Sequence, residues 1–348
     1  MRYVSRTLLG LLVAVVLAWA PALNAANVTE LATKYQGKDR EQKLLAEAKK
    51  EGKLVWYTSM AGTNYKALAK AFGEKYGIQV EAFRGSSKRL LPRVFGEAES
   101  GRHIFDVLET TPPTLMIVRD AKLLAPYTSP RLSSYPDVAR HSAGKGVVYW
   151  ATDRESYMSL TYNKKAIPAG AVPRGFGDLS NPALKGKIGL ATTSSGKRAI
   201  GALIHIKGKE FADQLKSQEI SLHAVSGRAL LDMVVSGEVG VSFSTFRNHA
   251  VTAIAKGAPI EWLPLEVVVA NAGGFAISRN APHPHAALLM ADFVLGPQGQ
   301  KILQEHHNGS AWKDPGFKRW YPEAGMTREQ YLNTEKRWNK TLTTIGRK

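Results

Sequence analysis

Residues 52–63 read Gly-Lys-Leu-Val-Trp-Tyr-Thr-Ser-Met-Ala-Gly-Thr, and this stretch sets the pattern for the whole chain. Its first glycine closes a Lys/Glu-rich helical segment, and four apolar residues then form a short strand. A loop of small and hydroxyl side chains leads into a helix that carries Tyr65, Leu68 and Phe72 at helical spacing and ends at Gly77. Strand, hydroxyl-rich loop and helix together are the building unit of α/β sheets.

The same unit recurs along the chain. It is found at Ile78–Phe83 before Arg84-Gly85-Ser86-Ser87, at Phe105–Leu108 before Glu109–Pro112, at Ile188–Ala191 before Thr192–Gly196, and at Val239–Phe243 before Ser244-Thr245-Phe246. Alternating strands and helices predict an α/β fold with sheets rich in parallel strands and helices on both faces.

Two longer extended stretches, residues 147–163 and 262–278, interrupt this alternation. Each separates one block of strand–helix units from the next, so we interpret them as crossings between two lobes. The predicted lobe 1 comprises residues 27–148 plus 275–348, and lobe 2 comprises residues 149–274.

The N-terminus has the three-part layout of a secretory signal. Arg2 and Arg6 precede an apolar run over residues 8–19, and small residues follow up to Ala25. The run is shorter than the roughly 20 apolar residues that span a bilayer. We therefore predict a signal peptide over residues 1–25, cleaved near Ala25. The chain has no cysteine, so neither a disulfide framework nor a lipid attachment site is expected.

The chain is strongly basic, with a formal net charge of +18. Its Lys and Arg residues are spread along the sequence, and the export signal directs the protein away from nucleic acid, so nucleic-acid binding is not expected. An anionic membrane face and an anionic ligand remain the two partners that fit this charge.

Several strings occur in the order typical of one family. They are residues 52–59, Lys75-Tyr76-Gly77-Ile78-Gln79-Val80-Glu81, Arg84-Gly85-Ser86-Ser87, Tyr162-Asn163, Asp178-Leu179 with Lys185-Gly186-Lys187, and Ser278–Pro284 with Gly299-Gln300. Over about residues 41–305 the chain resembles the family 1 extracellular solute-binding proteins of ABC importers, and within them the ferric-iron-type branch.

The resemblance implies a two-lobed periplasmic binding protein of type 2, whose two crossing strands act as the hinge and whose lobes close on a small ligand. It implies a periplasmic location, and as partners an inner-membrane ABC permease and its ATPase. We expect a monomer that needs no cofactor.

The resemblance also bears on iron, since iron-binding members of that branch hold Fe(III) with two adjacent tyrosines in the second lobe. The corresponding segment here reads Ser242-Phe243-Ser244-Thr245-Phe246 and contains no tyrosine. The first strand–loop offers Ser59, Met60 and Thr63 in place of a histidine or an acid. Coordination of Fe(III) by paired tyrosinates is therefore not expected, while Fe(III) or a ferric chelate stays open as the alternative ligand.

Ligands of open α/β sheets bind at the carboxyl ends of the strands, where loops lead into helix N-termini. Because hydroxyls and arginines donate to oxyanions, the loops here predict a site for an anion or an anion-bearing organic solute. The predicted cleft residues are Ser59, Ser86, Ser87, Thr110, Thr111, Ser194, Ser195 and Ser244, with Arg198 and Arg247 as counter-charges and Tyr149 and Tyr157 as an aromatic wall. The alternative is that the hydroxyls cap helices and the aromatic rings pack in the hinge.

Enzyme signatures are missing from the sequence. There is no Gly-x-Ser-x-Gly elbow, no His-Glu-x-x-His and no cysteine nucleophile, so no catalytic residue is predicted. The pairs His283/His285 and His306/His307 lie at helix ends, and no metal site is predicted. A periplasmic enzyme and a sensory receptor on the same scaffold remain the alternatives to a transport receptor.

Overall fold

The computed structural model describes residues 27–347, so the predicted signal peptide lies outside the described residues. Over that range no helix combines the length and the apolar character needed to cross a bilayer.

Helices in this part of the chain follow the predicted pattern. Their bounds are α1 Val28–Lys34, α2 Arg40–Glu51, α3 Gly62–Tyr76, α4 Ser87–Glu99, α5 Pro112–Asp120, α6 Ser194–Gln214, α7 Gly227–Ser236, α8 Arg247–Ile254, α9 Pro284–Val294, α10 Pro297–Glu305 and α11 Arg328–Ile345. Helices α2 and α3 end where glycine takes the left-handed conformation, with φ of 75° at Gly52 and 71° at Gly77.

The predicted strands lie within three residues of observed ones, except that the predicted stretch 262–278 is divided into two strands at residues 264–267, and five further short strands were not predicted. Their bounds are β1 Lys53–Thr58, β2 Gln79–Arg84, β3 Val107–Thr110, β4 Leu124–Ala125, β5 Arg140–Gly144, β6 Val147–Asn163, β7 Gly189–Ala191, β8 Ile220–His223, β9 Val241–Phe246, β10 Ile260–Leu263, β11 Val268–Ser278, β12 Arg319–Trp320 and β13 Gly346–Arg347.

One large sheet runs through both lobes in the order β10-β6-β11-β3-β1-β2, and β7, β8 and β13 form a smaller sheet. Strand β1 pairs in parallel with β2 and β3, and β7 pairs in parallel with β8, as strand–helix units require. The two long strands pair antiparallel, with Trp150 opposite Ala276 and Met158 opposite Val269. These are the two predicted crossing strands, which share one ladder at the centre of the molecule.

Gly273 and Gly274 allow the crossing strands to approach bulky neighbours. A Cβ atom on Gly274 would lie 2.6 Å from side-chain atoms of Leu115 and Trp150. A Cβ atom on Gly273 would lie 2.6 Å from Asp153 Oδ1 and 2.7 Å from an Oε1 atom of Glu109. The register of β11 shifts at this point, so the strand passes directly over a buried group of charges.

Buried apolar residues divide into clusters on either side of the crossing strands. Trp56, Phe72 and Phe275 belong to one side, where α2, α3 and α9 cover the sheet. Ile200 and Phe243 belong to the other side, around α6 and β9. Each half therefore has a core of its own, as two-lobed architecture requires.

The C-terminal helix α11 packs with the second core. Its buried residues Trp338 and Leu342 lie in the same cluster as Leu203 of α6, and β13 pairs with β8. This packing disagrees with the predicted placement of the whole of residues 275–348 in lobe 1, because the apolar face of α11 covers α6. We propose that residues 328–347 belong to lobe 2, so that the chain crosses between the lobes a third time after α10.

Candidate functional site

Two adjoining cavities lie between the lobes. The larger, here called the helix-end cavity, measures about 480 Å³ and reaches Ser87, Thr111, Ser195 and Arg198. The smaller, here called the hinge cavity, measures about 220 Å³ and reaches Ser59 and Arg154. Phe246 and Asn271 line both cavities, which therefore form one continuous cleft.

Several helices begin at the helix-end cavity, and four of them line it with Ser or Thr residues. Helices α4 and α5 approach from lobe 1, and α6 and α7 from lobe 2, with residues of each first turn or N-cap in the cavity wall. A helix N-terminus carries a partial positive charge and unpaired N–H groups. Because four such ends converge on the cavity, it favours negative charge.

Hydrogen bonds at the N-cap positions show which of the hydroxyl side chains cap a helix. Ser226 accepts a hydrogen bond from the Ala229 N–H at 3.2 Å and caps α7. The side chains of Ser86, Thr111 and Thr193 make no such cap bond at α4, α5 and α6. The capping interpretation thus holds for Ser226, which was not among the predicted site residues, and leaves the hydroxyl of Thr111 available at the cavity.

Arg198 is the buried cation of the helix-end cavity. Its side chain is only 7% exposed, and its guanidinium donates to Asn271 Oδ1 and, at 3.4 Å, to the Tyr331 hydroxyl. No carboxylate among the described residues forms a salt bridge with Arg198. Burial raises the pKa of nearby Glu323, and the charge of Arg198 acts in the opposite direction.

Arg154 is a second buried arginine, on crossing strand β6, and was not among the predicted site residues. It is 7% exposed and donates to an Oε1 atom of Glu109 at 2.8 Å. Glu109 also accepts from the Thr58 hydroxyl at 2.5 Å and the Ser59 N–H at 3.1 Å. Burial, followed by the neighbouring Glu109 charge, raises the pKa of Asp153 well above its ordinary value.

The sequence did contain a signal for Arg154. Residues 152–156 read Thr-Asp-Arg-Glu-Ser, a run of five polar residues, three of them charged, within strand β6. All but Ser156 are buried, and buried charges need partners. Such a run on a crossing strand favours a site beside the hinge.

The structure brings six of the predicted residues to the cleft. Ser59 lines the hinge cavity, and Ser87, Thr111, Ser194, Ser195 and Arg198 line the helix-end cavity. Thr110 lies directly behind this wall, fully buried, with its hydroxyl 2.8 Å from that of Ser87.

Five other predicted residues point elsewhere. Ser86 is exposed at the start of α4 and lines neither cavity, and Ser244 is buried on β9, where its hydroxyl accepts from the Ala191 N–H at 3.3 Å. Arg247 is exposed, with its guanidinium 5.8 Å from the Trp262 ring.

The two tyrosines of the first crossing also lie outside the cleft. Tyr149 packs against the lobe 1 core. Tyr157 is buried and donates to a carboxylate oxygen of Glu155 at 2.6 Å, while its ring contacts Phe317 edge-on. The alternation of side chains along β6 sends both rings away from the cavities, so the structure favours the packing interpretation for them.

Within residues 27–347 no group of three or more His, Asp or Glu side chains is placed to hold a metal ion. Tyr331 is the one tyrosine among the described residues that line the cleft. A larger concavity of about 1010 Å³ lies outside the cleft, between α6 and α11.

Known proteins share this architecture. Residues 54–307 match the profile of the family described as bacterial extracellular solute-binding protein. An uncharacterized protein of Haemophilus influenzae is 27% identical over 278 residues, which cover 76% of this chain and 77% of that protein.

Solved structures match over most of the chain. Iron-bound HitA from Pseudomonas aeruginosa is 25% identical, with a TM-score of 0.66 over 85% of this chain and 99% of that one. AfuA from Actinobacillus pleuropneumoniae, a periplasmic binding protein with exogenous fructose-6-phosphate bound, is 23% identical, with a TM-score of 0.66 over 84% and 98% of the two chains. The substrate binding protein of an ABC transporter from Agrobacterium tumefaciens is 11% identical, with a TM-score of 0.69 over 83% and 94%.

Proposed function

Since the chain belongs to the bacterial extracellular solute-binding proteins and has the substrate-binding role of an ABC importer, we propose that the solute it captures is a small organic anion. The anion binds in the helix-end cavity, between the N-termini of α4 and α5 on lobe 1 and those of α6 and α7 on lobe 2. Closure of the lobes brings these two pairs of helix ends onto one ligand.

One observation carries this proposal: Arg198 is buried in the cavity wall without a salt bridge to any described residue. A buried charge is costly unless it is paired. Asn271 and Tyr331 supply hydrogen-bond acceptors but no formal charge. Glu323 and Glu335 act on Arg198 through their charges without forming a salt bridge, so the ligand supplies the directly paired counter-charge.

Hydroxyl groups complete the anion site. Thr111, Ser194 and Ser195 line the cavity at the starts of α5 and α6. An oxyanion can therefore accept from backbone N–H groups, from hydroxyls and from a guanidinium at the same time. This donor set is rich in hydrogen-bond donors, as recognition of an anion requires.

The proposed setting follows the family. The protein acts in the periplasm after cleavage near Ala25, as a monomer, and delivers its solute unchanged to an inner-membrane permease and its ATPase. Mass spectrometry of exported protein should show an N-terminus near Ala26, and an intact Met1 would contradict the cleavage. Light scattering should give the mass of one chain.

A thermal-shift screen tests the ligand class. The panel contains inorganic oxyanions, phosphonates, phosphate esters, organic acids, amino acids, polyamines and ferric citrate. A specific ligand stabilises the folded state by RT ln(1 + [L]/Kd), about 2.7 kcal/mol at 100 times Kd. We expect the largest shift from an organic anion. A largest shift from a polyamine would refute the anion, and recovery of a chemically altered compound would indicate an enzyme.

Ferric citrate in the same panel tests the iron alternative. Paired tyrosinates on Fe(III) produce a visible charge-transfer band, which we do not expect, because Tyr331 is the one tyrosine among the described cleft residues. A band that is lost when Tyr331 and a second tyrosine are replaced by phenylalanine would overturn this expectation.

A further inference from the structure

We propose that the ligand has two chemically different ends, an anionic group in the helix-end cavity and an uncharged body bearing hydroxyl or amide groups in the hinge cavity. This inference rests on the proposed function, since it assigns the second half of the same cleft. A ligand of this kind is neither an inorganic oxyanion nor an anion with an alkyl body.

The charges around the hinge cavity balance one another. Arg154 is paired with Glu109 at 2.8 Å, and both side chains are buried. The raised pKa of Asp153 favours its neutral form. Burial, followed by the charge of Arg228, lowers the pKa of His249, which also favours its neutral form. The remaining charge, Arg84, is exposed to water at the rim, where solvent screens it.

Hydrogen-bonding groups dominate the wall of this cavity. Four asparagines contribute to it, Asn64, Asn248, Asn271 and Asn308, together with Ser59 and Ser156. Amides and hydroxyls offer both donors and acceptors. A neutral, balanced wall of this kind suits a neutral group that can donate and accept.

Three polar atoms of this wall have no hydrogen-bond partner among the described residues. They are Nε of Arg154, Oδ1 of Asn248 and Nδ1 of His249, and each is buried from solvent. Buried polar atoms in folded proteins are nearly always paired, and an unpaired one is destabilising. Three of them in side chains around one small cavity indicate that a bound group completes their hydrogen bonding.

A hydroxyl-bearing body suits this set because each hydroxyl both donates and accepts. It can accept from the guanidinium of Arg154 and donate to Oδ1 of Asn248. An alkyl body of the same length would fill the space and leave these atoms unpaired. A site built to hydrogen-bond a hydroxyl discriminates strongly against the analogue that lacks it.

Two matched pairs of compounds test the inference by calorimetry on the full mature chain. The first pair is glycerol 3-phosphate and propyl phosphate, and the second is gluconate and hexanoate. Within each pair the anionic group and the carbon count are the same. We expect the hydroxylated member of at least one pair to bind ten times more tightly or better than its alkyl partner.

Two variants locate the effect. Asn248→Ala should weaken the hydroxylated compound about fivefold, the worth of one hydrogen bond, and leave the alkyl compound unchanged. Arg198→Ala should weaken both members of the pair, because both carry the anionic group. Thermal midpoints of the unliganded variants show whether either change disturbs the fold.

The outcomes separate the two claims. Equal binding of the two members in both pairs, or an equal loss for both members of a pair in Asn248→Ala, overturns the two-ended ligand while the anion site stands. If none of the four compounds binds and no organic anion of the thermal-shift panel binds either, the organic anion is refuted, and the two-ended ligand with it.

Discussion

Replacing Arg198 with alanine removes the cation on which the anion site depends. When one partner of a buried charge pair is lost, the other stays buried and unpaired, at a cost of about 2–5 kcal/mol. At 1.4 kcal/mol per tenfold, this corresponds to a rise in Kd of roughly 30-fold to 4,000-fold. We place Arg198 in the upper part of that range because no salt bridge to a described residue competes for its charge.

Two further variants give reference values for the effect of Arg198→Ala on Kd. Arg198→Lys keeps the charge but loses the planar guanidinium that donates to both Asn271 and Tyr331, so binding should fall between the alanine variant and the wild type. Ser195→Ala removes one hydroxyl from the cavity wall and should cost ~1 kcal/mol, or about fivefold in Kd.

The assay is calorimetric titration with the anion that gives the largest thermal shift. Arg247→Ala is the matched control, since Arg247 is exposed and lines neither cavity. It should bind as the wild type does. If Arg198→Ala binds within twofold of the wild type, or if both arginine variants lose affinity equally, the assignment of the buried cation is refuted.

Three more predictions follow from the contacts described above. Ser226→Ala should lower the unfolding free energy by about 1 kcal/mol through loss of a helix cap, whereas Thr111→Ala should leave the unliganded midpoint unchanged and weaken anion binding. Tyr157→Phe should lower the unfolding free energy by about 1.5–3 kcal/mol, because it removes the bond to Glu155, and should leave Kd unchanged. Burial, followed by the charge of Arg119, lowers the pKa of His141 from 6.5 to about 4. Between pH 6.5 and about pH 4 the unfolded chain therefore binds more protons than the folded chain, and folding stability is lost as the pH falls through this range. His141→Gln should make this loss of stability with falling pH less steep.

Denaturant unfolding and thermal midpoints check the stabilities, and calorimetry checks Kd. Equal stability losses in the Ser226 and Thr111 variants would contradict the assignment of caps. A changed Kd in Tyr157→Phe would show that Tyr157 contributes to ligand binding. If the stability of His141→Gln falls as steeply with decreasing pH as that of the wild type, His141 is not the cause of that loss of stability.

Local signals in the sequence were sufficient for the strand–helix units and the two crossing strands. The strand at residues 147–163 has the predicted bounds. The proposed lobe assignment of α11 needed tertiary information, because the packing of α11 on α6 cannot be read from the sequence.

In the site, too, local sequence signals predicted some residues, while others needed tertiary information. Hydroxyls at strand ends were predicted because topology brings those ends together. Whether a side chain such as that of Tyr157 or Ser244 faces the cleft depends on strand alternation and on local bulges, such as the register shifts in the β6–β9 pairing. Arg154 was missed because the polar run at residues 152–156 indicates a site only once its residues are known to be buried and Arg154 to be paired with Glu109.

The proposed third passage between the lobes places the two ends of the described chain on different lobes. Val28 of α1 lies in the first core, and Ile345 of α11 lies in the second. Fluorophores attached near the mature N-terminus and after Arg347 would therefore move relative to each other as the lobes close. Energy transfer between them would report occupancy of the cleft for a solute of any chemistry, with every residue of the binding site left unmodified.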